Sequence, residues 1–237
     1  MGDRLSGRTA LVTGASRGIG AALAQAFSRA GARVILTATC AADLERVAAD
    51  CVGSVQIHVA DLRLAEDRRE LVACLGGQLD ILVNNAGLLG GRDTLWNSDL
   101  DAFEAVMDVN VTAVFDLVRQ VVPLMQARNY GRIINVSSSV GIQGRATWGV
   151  YATSKFALEG LSQSLAAELE GSNVSVAVVN PGGTRTDMRR EALPDEDPAG
   201  LPSPDDVVHP FLALASASDS RYNGVRINVR DWPAGEV

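Results

Sequence analysis

The sequence predicts one three-layer α/β domain spanning residues 1–237, built on a doubly wound parallel sheet of about seven strands with helices on both faces. Three observations predict it. Short runs rich in Val and Ile recur from one end of the chain to the other, longer segments with helical spacing separate them, and a glycine-rich turn directly follows the first run. Near-continuous apolar runs read as strands buried on both faces, and strands that alternate with helices pair in parallel through right-handed crossovers.

The strand runs fall at 9–13, 33–38, 55–60, 81–84, 132–137, 174–179 and 225–229. Helical spacing marks 19–30, 44–50, 101–128, 151–170 and 204–215, with Pro123 expected to bend the third of these without ending it. The exception to this regularity is 188–204, where four prolines sit among acidic residues; it reads as a mobile loop over the substrate, because a further helix and strand follow it. Hydrophobic residues make up 47% and charged residues 21%, enough to bury a sizeable core.

A formal charge of -7 argues against nucleic acid as a partner, since phosphate binding needs clustered cations. Three cysteines, Cys40, Cys51 and Cys74, show no C-x-x-C spacing, and His58 and His209 stand apart from other ligands, so neither a disulfide framework nor a metal site is expected. No stretch has the length of a signal peptide or a membrane span, which leaves the cytoplasm as the expected compartment and no membrane as a partner.

After the first strand run comes Thr13-Gly14-Ala15-Ser16-Arg17-Gly18-Ile19-Gly20, opening an apolar helix. Glycines in that place let the chain turn sharply and let backbone approach a pyrophosphate, whose charge faces the helix N-terminal N–H groups. This makes the domain a dinucleotide-binding, Rossmann-type fold. The second strand run ends Thr37-Ala38-Thr39-Cys40 without the carboxylate that binds a ribose 2′-hydroxyl, and the first acid, Asp43, is already in the next helix. Arg17 and Thr39 would offer a 2′-phosphate a cation and a hydroxyl, so NADP(H) is favoured over NAD(H).

Tyr151-Ala152-Thr153-Ser154-Lys155 places a phenol and an ammonium on one helix face. A nearby cation favours phenolate and is expected to lower the pKa of Tyr151, fitting it for proton transfer. Ser137, Ser138 and Ser139 close the fifth strand at the carboxyl end, where open α/β sheets bind ligands.

These residues resemble those of the short-chain dehydrogenase/reductase family of the compact, single-domain kind. The match runs over 7–229 and joins TGASRGIG at 13–20, Asp61, NNAG at 84–87, Asn110, Ser138, YATSK at 151–155 and NPGGTRT at 180–186. The resemblance implies a small-molecule carbonyl or alcohol as substrate. It implies that Ser138 holds the substrate oxygen, that Tyr151 exchanges a proton with it, and that Lys155 lowers the tyrosine pKa and binds the nicotinamide ribose. Asn110 is expected to support a water relay to Lys155. The same comparison implies Asp61 and Leu62 near the adenine, Asn84, Ala86 and Gly87 along the adenosine, and Pro181, Gly182, Thr184 and Thr186 around the nicotinamide. Closeness in sequence adds Val140, Gln143, Trp148, Gly183 and Met188 as walls of a partly apolar substrate pocket.

The 3-oxoacyl-carrier-protein reductases of this family share the glycine turn and the Ala38-Thr39 strand end, and remain one alternative. Yet Asn129 and Ser172 stand where those enzymes tend to present basic residues to the carrier, with Arg128 and Arg132 still nearby. The segment from 180 onward is similar to that of bacterial members whose substrates are not established. After the last strand, Asn228-Val229-Arg230-Asp231-Trp232 replaces the usual V-D-G-G turn. Helices 101–128 and 151–170 are apolar on more than one side, as at Phe115 and Phe156, which implies a homodimer or homotetramer in this family. A non-catalytic dinucleotide-binding regulatory protein on the same fold is the rival from another class.

Overall fold

Side chains alternate across each strand, and that alternation creates two cores. In β1 (Thr9–Thr13), Ala10 and Val12 face one side of the sheet and Leu11 the other, and all are fully buried. β2 (Arg33–Ala38) divides Val34 and Leu36 from Ile35 in the same way. β3 (Val55–Val59), β4 (Ile81–Asn84), β5 (Gly131–Val136), β6 (Val174–Asn180) and β7 (Arg226–Asn228) complete one sheet. The order is β3-β2-β1-β4-β5-β6-β7, with every pair parallel. The computed structural model describes residues 3–233; Met1, Gly2 and residues 234–237, which the single-domain expectation also covered, lie outside them.

Eight α-helices are described: α1 (Gly18–Arg29), α2 (Ala41–Ala49), α3 (Ala65–Cys74), α4 (Leu100–Met107), α5 (Ala113–Ala127), α6 (Gly149–Glu168), α7 (Asp187–Ala192) and α8 (His209–Ser216). Leu23 and Phe27 of α1, Leu44 of α2 and Phe211 of α8 fill the first core. The second takes Leu71 of α3, Leu117 and Val121 of α5, and Leu158 and Leu165 of α6. The chain winds outward from β1 to β3, then returns to set β4 against the other edge of β1. Loops leaving β1 and β4 therefore diverge, and a crevice opens at the carboxyl ends of these strands.

Two helical expectations change, and one helix, α3, has no counterpart among them. Segment 101–128 is not one helix: a π-helical turn at Asp108–Thr112 separates α4 from α5, while Pro123 sits inside α5 without ending it. Asn110 explains the break, because its amide side chain is drawn inward to the backbone of Leu88 (2.8 and 3.0 Å). Segment 204–215 divides into a 3-10 turn at Pro204–Val207, closed by a reciprocal Ser203 and Asp206 cap, and α8. α3 has too few apolar residues for its periodicity to stand out.

The proline-containing segment 188–204 is also more bonded than its composition suggests. Thr186 caps α7 by accepting from the Arg189 N–H (3.2 Å), and the Arg189 guanidinium grips Glu196 through two bonds of 2.5 and 2.6 Å. Arg185 N–H donates to Pro202 O (2.9 Å), which closes the excursion on itself.

Candidate active site

The crevice above β1 and β4 encloses about 570 Å³, within the range that holds small ligands. Its floor at one end is the glycine turn between β1 and α1. Gly14 has a φ of 64°, and a Cβ there would stand 2.8 Å from Ala86 Cα. At Gly20 a Cβ would fall 2.2 Å from Gly14 O, so this glycine serves the packing of α1 on the turn and does not itself line the crevice. The turn is fastened from β4: Thr13 Oγ1 accepts the N–H groups of Asn85 and Ala86 (3.0 Å each), and Asn85 Nδ2 donates to Thr13 O (2.8 Å).

Ser16, Arg17, Gly18 and Ile19 line this end, as do Thr39, Asp61, Leu62, Ala86 and Gly87. Thr39 is exposed at the end of β2. Arg17 reaches across the mouth to Asp187, at 3.6 Å. Asp61 is clasped by the Arg63 guanidinium, which holds its carboxyl below the usual range. Asn84 departs from the expectation: it is 3% exposed, donates to Asn135 Oδ1 (2.8 Å) inside the sheet and leaves the crevice wall to Asn85. Because side chains alternate along β4, neighbouring asparagines face opposite ways.

At the other end, β5 delivers three serines beside α6. Ser137 is buried and donates to Glu159 Oε1 (2.6 Å), so its hydroxyl is committed. Ser138 is half-buried; its Oγ has a long contact of 3.4 Å from Val140 N–H and faces the crevice. Tyr151 and Lys155 face the same space from consecutive turns of α6.

The expected acidification of Tyr151 by Lys155 does not hold in this arrangement. Lys155 Nζ donates to Val136 O (2.8 Å) and lies 5.4 Å from the tyrosine ring centroid, so it makes no direct bond to the phenol. The phenol keeps some surface open to the crevice, but protein surrounds it closely enough that burial raises its pKa above the ordinary value. Burial also pulls Lys155 down to about 8, with Glu159 one turn onward acting in the opposite sense. Burial thus favours the neutral form of both groups, the protonated phenol and the uncharged amine.

Asn110 is likewise not on the crevice wall. Besides Leu88, its Nδ2 donates to Ser154 Oγ (2.9 Å), which ties the π-helical turn to α6 one residue before Lys155. The side chain holds the lysine-bearing helix in place and has no free donor aimed at the crevice.

Val140, Trp148, Gly183 and Met188 line the remaining end, with Pro181, Gly182, Thr184 and Thr186 between them and the glycine turn. Gln143 does not: the chain turns in a 3-10 turn at Ser139–Gly141 and sends Ile142 and Gln143 to solvent. Sequence reasoning missed Asn85, Leu88, Leu89, Arg145 and Ala192 on this wall. Of these, Asn85 alone had a signal, as the second asparagine of NNAG. Arg92, stacked 4.7 Å from the Trp148 ring, bonds Thr147 Oγ1 (2.6 Å) and Ala192 O (2.8 Å), and so ties the Trp148 and Ala192 sides of the pocket together. It steadies Thr147, whose φ of 65° is unusual for a β-branched residue.

The donor set suits a dinucleotide. Gly14 and Gly18 bring the turn before α1 to the crevice wall, and the N–H groups of a helix N-terminus bind anions. Two buried hydroxyls on the crevice wall, Thr37 Oγ1 and Thr184 Oγ1, have no partner among the described residues, as expected where a polar ligand completes the bonding.

Comparison with known proteins agrees in extent and geometry. The family model for short chain dehydrogenases matches residues 8–197. The uncharacterized oxidoreductase YciK of Escherichia coli K12 is 39% identical over 237 residues, covering 96% of this chain and 94% of the relative. The 3-oxoacyl-[acyl-carrier-protein] reductase FabG of Rickettsia conorii is 36% identical over 233 residues, covering 95% and 96%. Among solved structures, a short chain dehydrogenase from Shigella flexneri 2a complexed with NADP superposes with a TM-score of 0.91 at 38% identity, covering 96% of this chain and 99% of that one.

Proposed function

The chain belongs to the short-chain dehydrogenase family, NAD(P)-dependent enzymes acting on CH–OH and C=O groups, and from that premise we propose that it is an NADP(H)-dependent reductase of a small carbonyl compound, or the corresponding alcohol dehydrogenase. One observation carries the reading: Ser138, Tyr151 and Lys155 converge on the same crevice as the glycine turn. Bound NADPH supplies the hydride. Ser138 Oγ and the Tyr151 phenol orient the carbonyl oxygen, Tyr151 gives it a proton as negative charge develops, and Lys155 favours the resulting phenolate. Tyr151 enters the reductive direction protonated, as an ordinary phenol already is at neutral pH.

Arg17 and Thr39 support the preference for NADP(H), with Arg17 exchanging Asp187 for the 2′-phosphate. Asp43, the nearest acid to the end of β2, is occupied by Arg46 (3.0 Å). Fluorescence titration is expected to show NADPH bound about ten-fold or more tightly than NADH; equal binding would return the reading to NAD(H).

The reductase reading with a carrier-bound substrate is supported by the FabG relative, but the surface expected to dock the carrier argues against it. Arg132 is 2% exposed and turned onto backbone carbonyls, and Arg128 is tethered to Asp80 (3.2 Å), so of the two only the partly exposed Arg128 presents charge beside Asn129 and Ser172. We favour a free small molecule, partly apolar to match Leu88, Val140, Trp148 and Met188. A panel of ketones, quinones, keto acids and acyl thioesters, read by NADPH oxidation, tests this; turnover confined to acyl-carrier thioesters would overturn it. Exposed Phe115 and Phe156 on α5 and α6 support a homodimer, and the unpaired thiols Cys40, Cys51 and Cys74 support a reducing, cytoplasmic setting.

A further inference from the structure

Behind the serine turn lies a polar chain centred on Arg226, which does not itself line the crevice. Arg226 projects from β7 and is partly buried. Its Nε donates to Glu159 Oε1 (3.1 Å), one terminal nitrogen donates to the backbone carbonyl of Ser138 (3.2 Å), and the other donates to Asn228 Oδ1 (2.8 Å). Glu159 itself is 5% exposed and also accepts from Ser137 Oγ. Asn228 Oδ1 further accepts from Asn180 Nδ2 (3.0 Å), and Asn180 Oδ1 accepts the N–H of Gly182 (3.1 Å). One guanidinium therefore touches the serine turn and α6 directly and reaches the loop after β6 through two asparagines.

We propose that Arg226 is a positioning residue that fixes Ser138 relative to Tyr151 and to the Gly182 loop. The planar fork matters, since three acceptors from three elements are met by one rigid group. Ser138 gains from such a brace because its side chain has a long 3.4 Å contact with Val140 N–H, and its backbone, past the end of β5, is otherwise held at the carbonyl by the local Gly141 N–H (3.1 Å). Gly141 allows the brace to work. A Cβ there would stand 2.9 Å from Ser137 Oγ and 3.1 Å from Lys155 O, so the serine turn lies directly on the lysine-bearing helix. Small displacements of a reacting group cost rate steeply.

The inference rests on the proposed part of Ser138 in the reaction, and a kinetic cycle separates the two. The full-length protein, Arg226→Met, Ser138→Ala and the double variant are assayed with whichever ketone of the panel the wild type reduces best, and NADPH affinity is measured by fluorescence. Arg226→Met is expected to lower kcat about ten-fold while leaving NADPH affinity and the KM for NADPH within about two-fold, and Arg226→Lys to recover part of the loss. On the Ser138→Ala background, Arg226→Met is expected to cost almost nothing more, because the group it positions is gone. An equal ten-fold loss on both backgrounds would overturn the proposal, as would unchanged kcat or a parallel fall in kcat, NADPH affinity and thermal stability that lysine does not relieve. Wild-type kcat in Ser138→Ala, or a wild type that reduces no ketone of the panel, would remove the underlying reading instead, and the inference with it.

Discussion

The two ends of the sheet bury charge in opposite ways. At the amino end, Asp80 is 1% exposed and accepts Thr9 N–H (2.8 Å), Arg128 (3.2 Å) and Arg8 (3.4 Å). Beside it Arg132 bonds Gly131 O and Asn173 O (2.7 Å each) and Ala217 O (3.1 and 3.2 Å), and the Tyr130 ring has Arg8 and Arg132 within 3.6 and 4.2 Å of its centroid. At the carboxyl end, Lys155 has a single carbonyl, the Tyr151 phenol faces the crevice, and Thr184 Oγ1 has no partner among the described residues. Saturated charge holds strands together; unsaturated charge is left for a ligand. Buried polar groups give structure where their bonding is complete, as at Asp80 and at the Glu159–Arg226 pair, and reactivity where it is incomplete.

The contrast breaks if a change at the carboxyl end acts mainly on stability, or one at the amino end mainly on chemistry. The largest effect is expected for Tyr151→Phe, with kcat falling about 10²- to 10⁴-fold while NADPH still binds; steady-state kinetics with a fluorescence titration checks both halves. Asp80→Ala should do the reverse. Loss of the acceptor for Thr9 N–H and for two arginines is expected to cost about 2 kcal/mol in urea unfolding, a value kept small because Arg8 and Arg128 are partly exposed and screened. Activity of the folded fraction should stay within about two-fold, since no reacting group has been moved.

The smallest effect sharpens the picture at the carboxyl end. Burial lowers the Lys155 pKa to about 8, so its ammonium is present below that pH and is lost as pH rises through it. Reductase kcat is expected to decline over the same interval. Tyr151 and Glu159 on α6 face this ammonium, with Arg226 of β7 behind the carboxylate. Glu159 raises the lysine pKa, and Glu159→Gln should therefore move the decline to lower pH by about half a unit. A pH–rate profile that keeps its alkaline limb in place would show that the limb belongs to another group.

Much of the crevice was legible because its signals are local. The glycine turn and Y-x-x-x-K each lie within one strand end or helix face, where spacing fixes direction, and seven apolar runs sufficed to give the seven strands. What sequence could not show depended on partners far along the chain. Asn84 turns away from the crevice because Asn135 awaits it on β5, and Asn110 breaks a helix because Leu88 captures its amide. Lys155 spends its ammonium on Val136 O of β5, whereas Gln143 leaves the pocket for a local reason, the turn at Ser139–Gly141.

Composition and periodicity by themselves determined the layers, the strand order's parallel sense and the place where a dinucleotide approaches, since these follow from short-range sterics and the burial of apolar faces. Only the tertiary structure decided which hydroxyl, amide or charge remained unspent. That depends on residues such as Glu159, Arg226 and Asn135, tens of positions away, arriving within hydrogen-bond distance, and no local pattern encodes a distance.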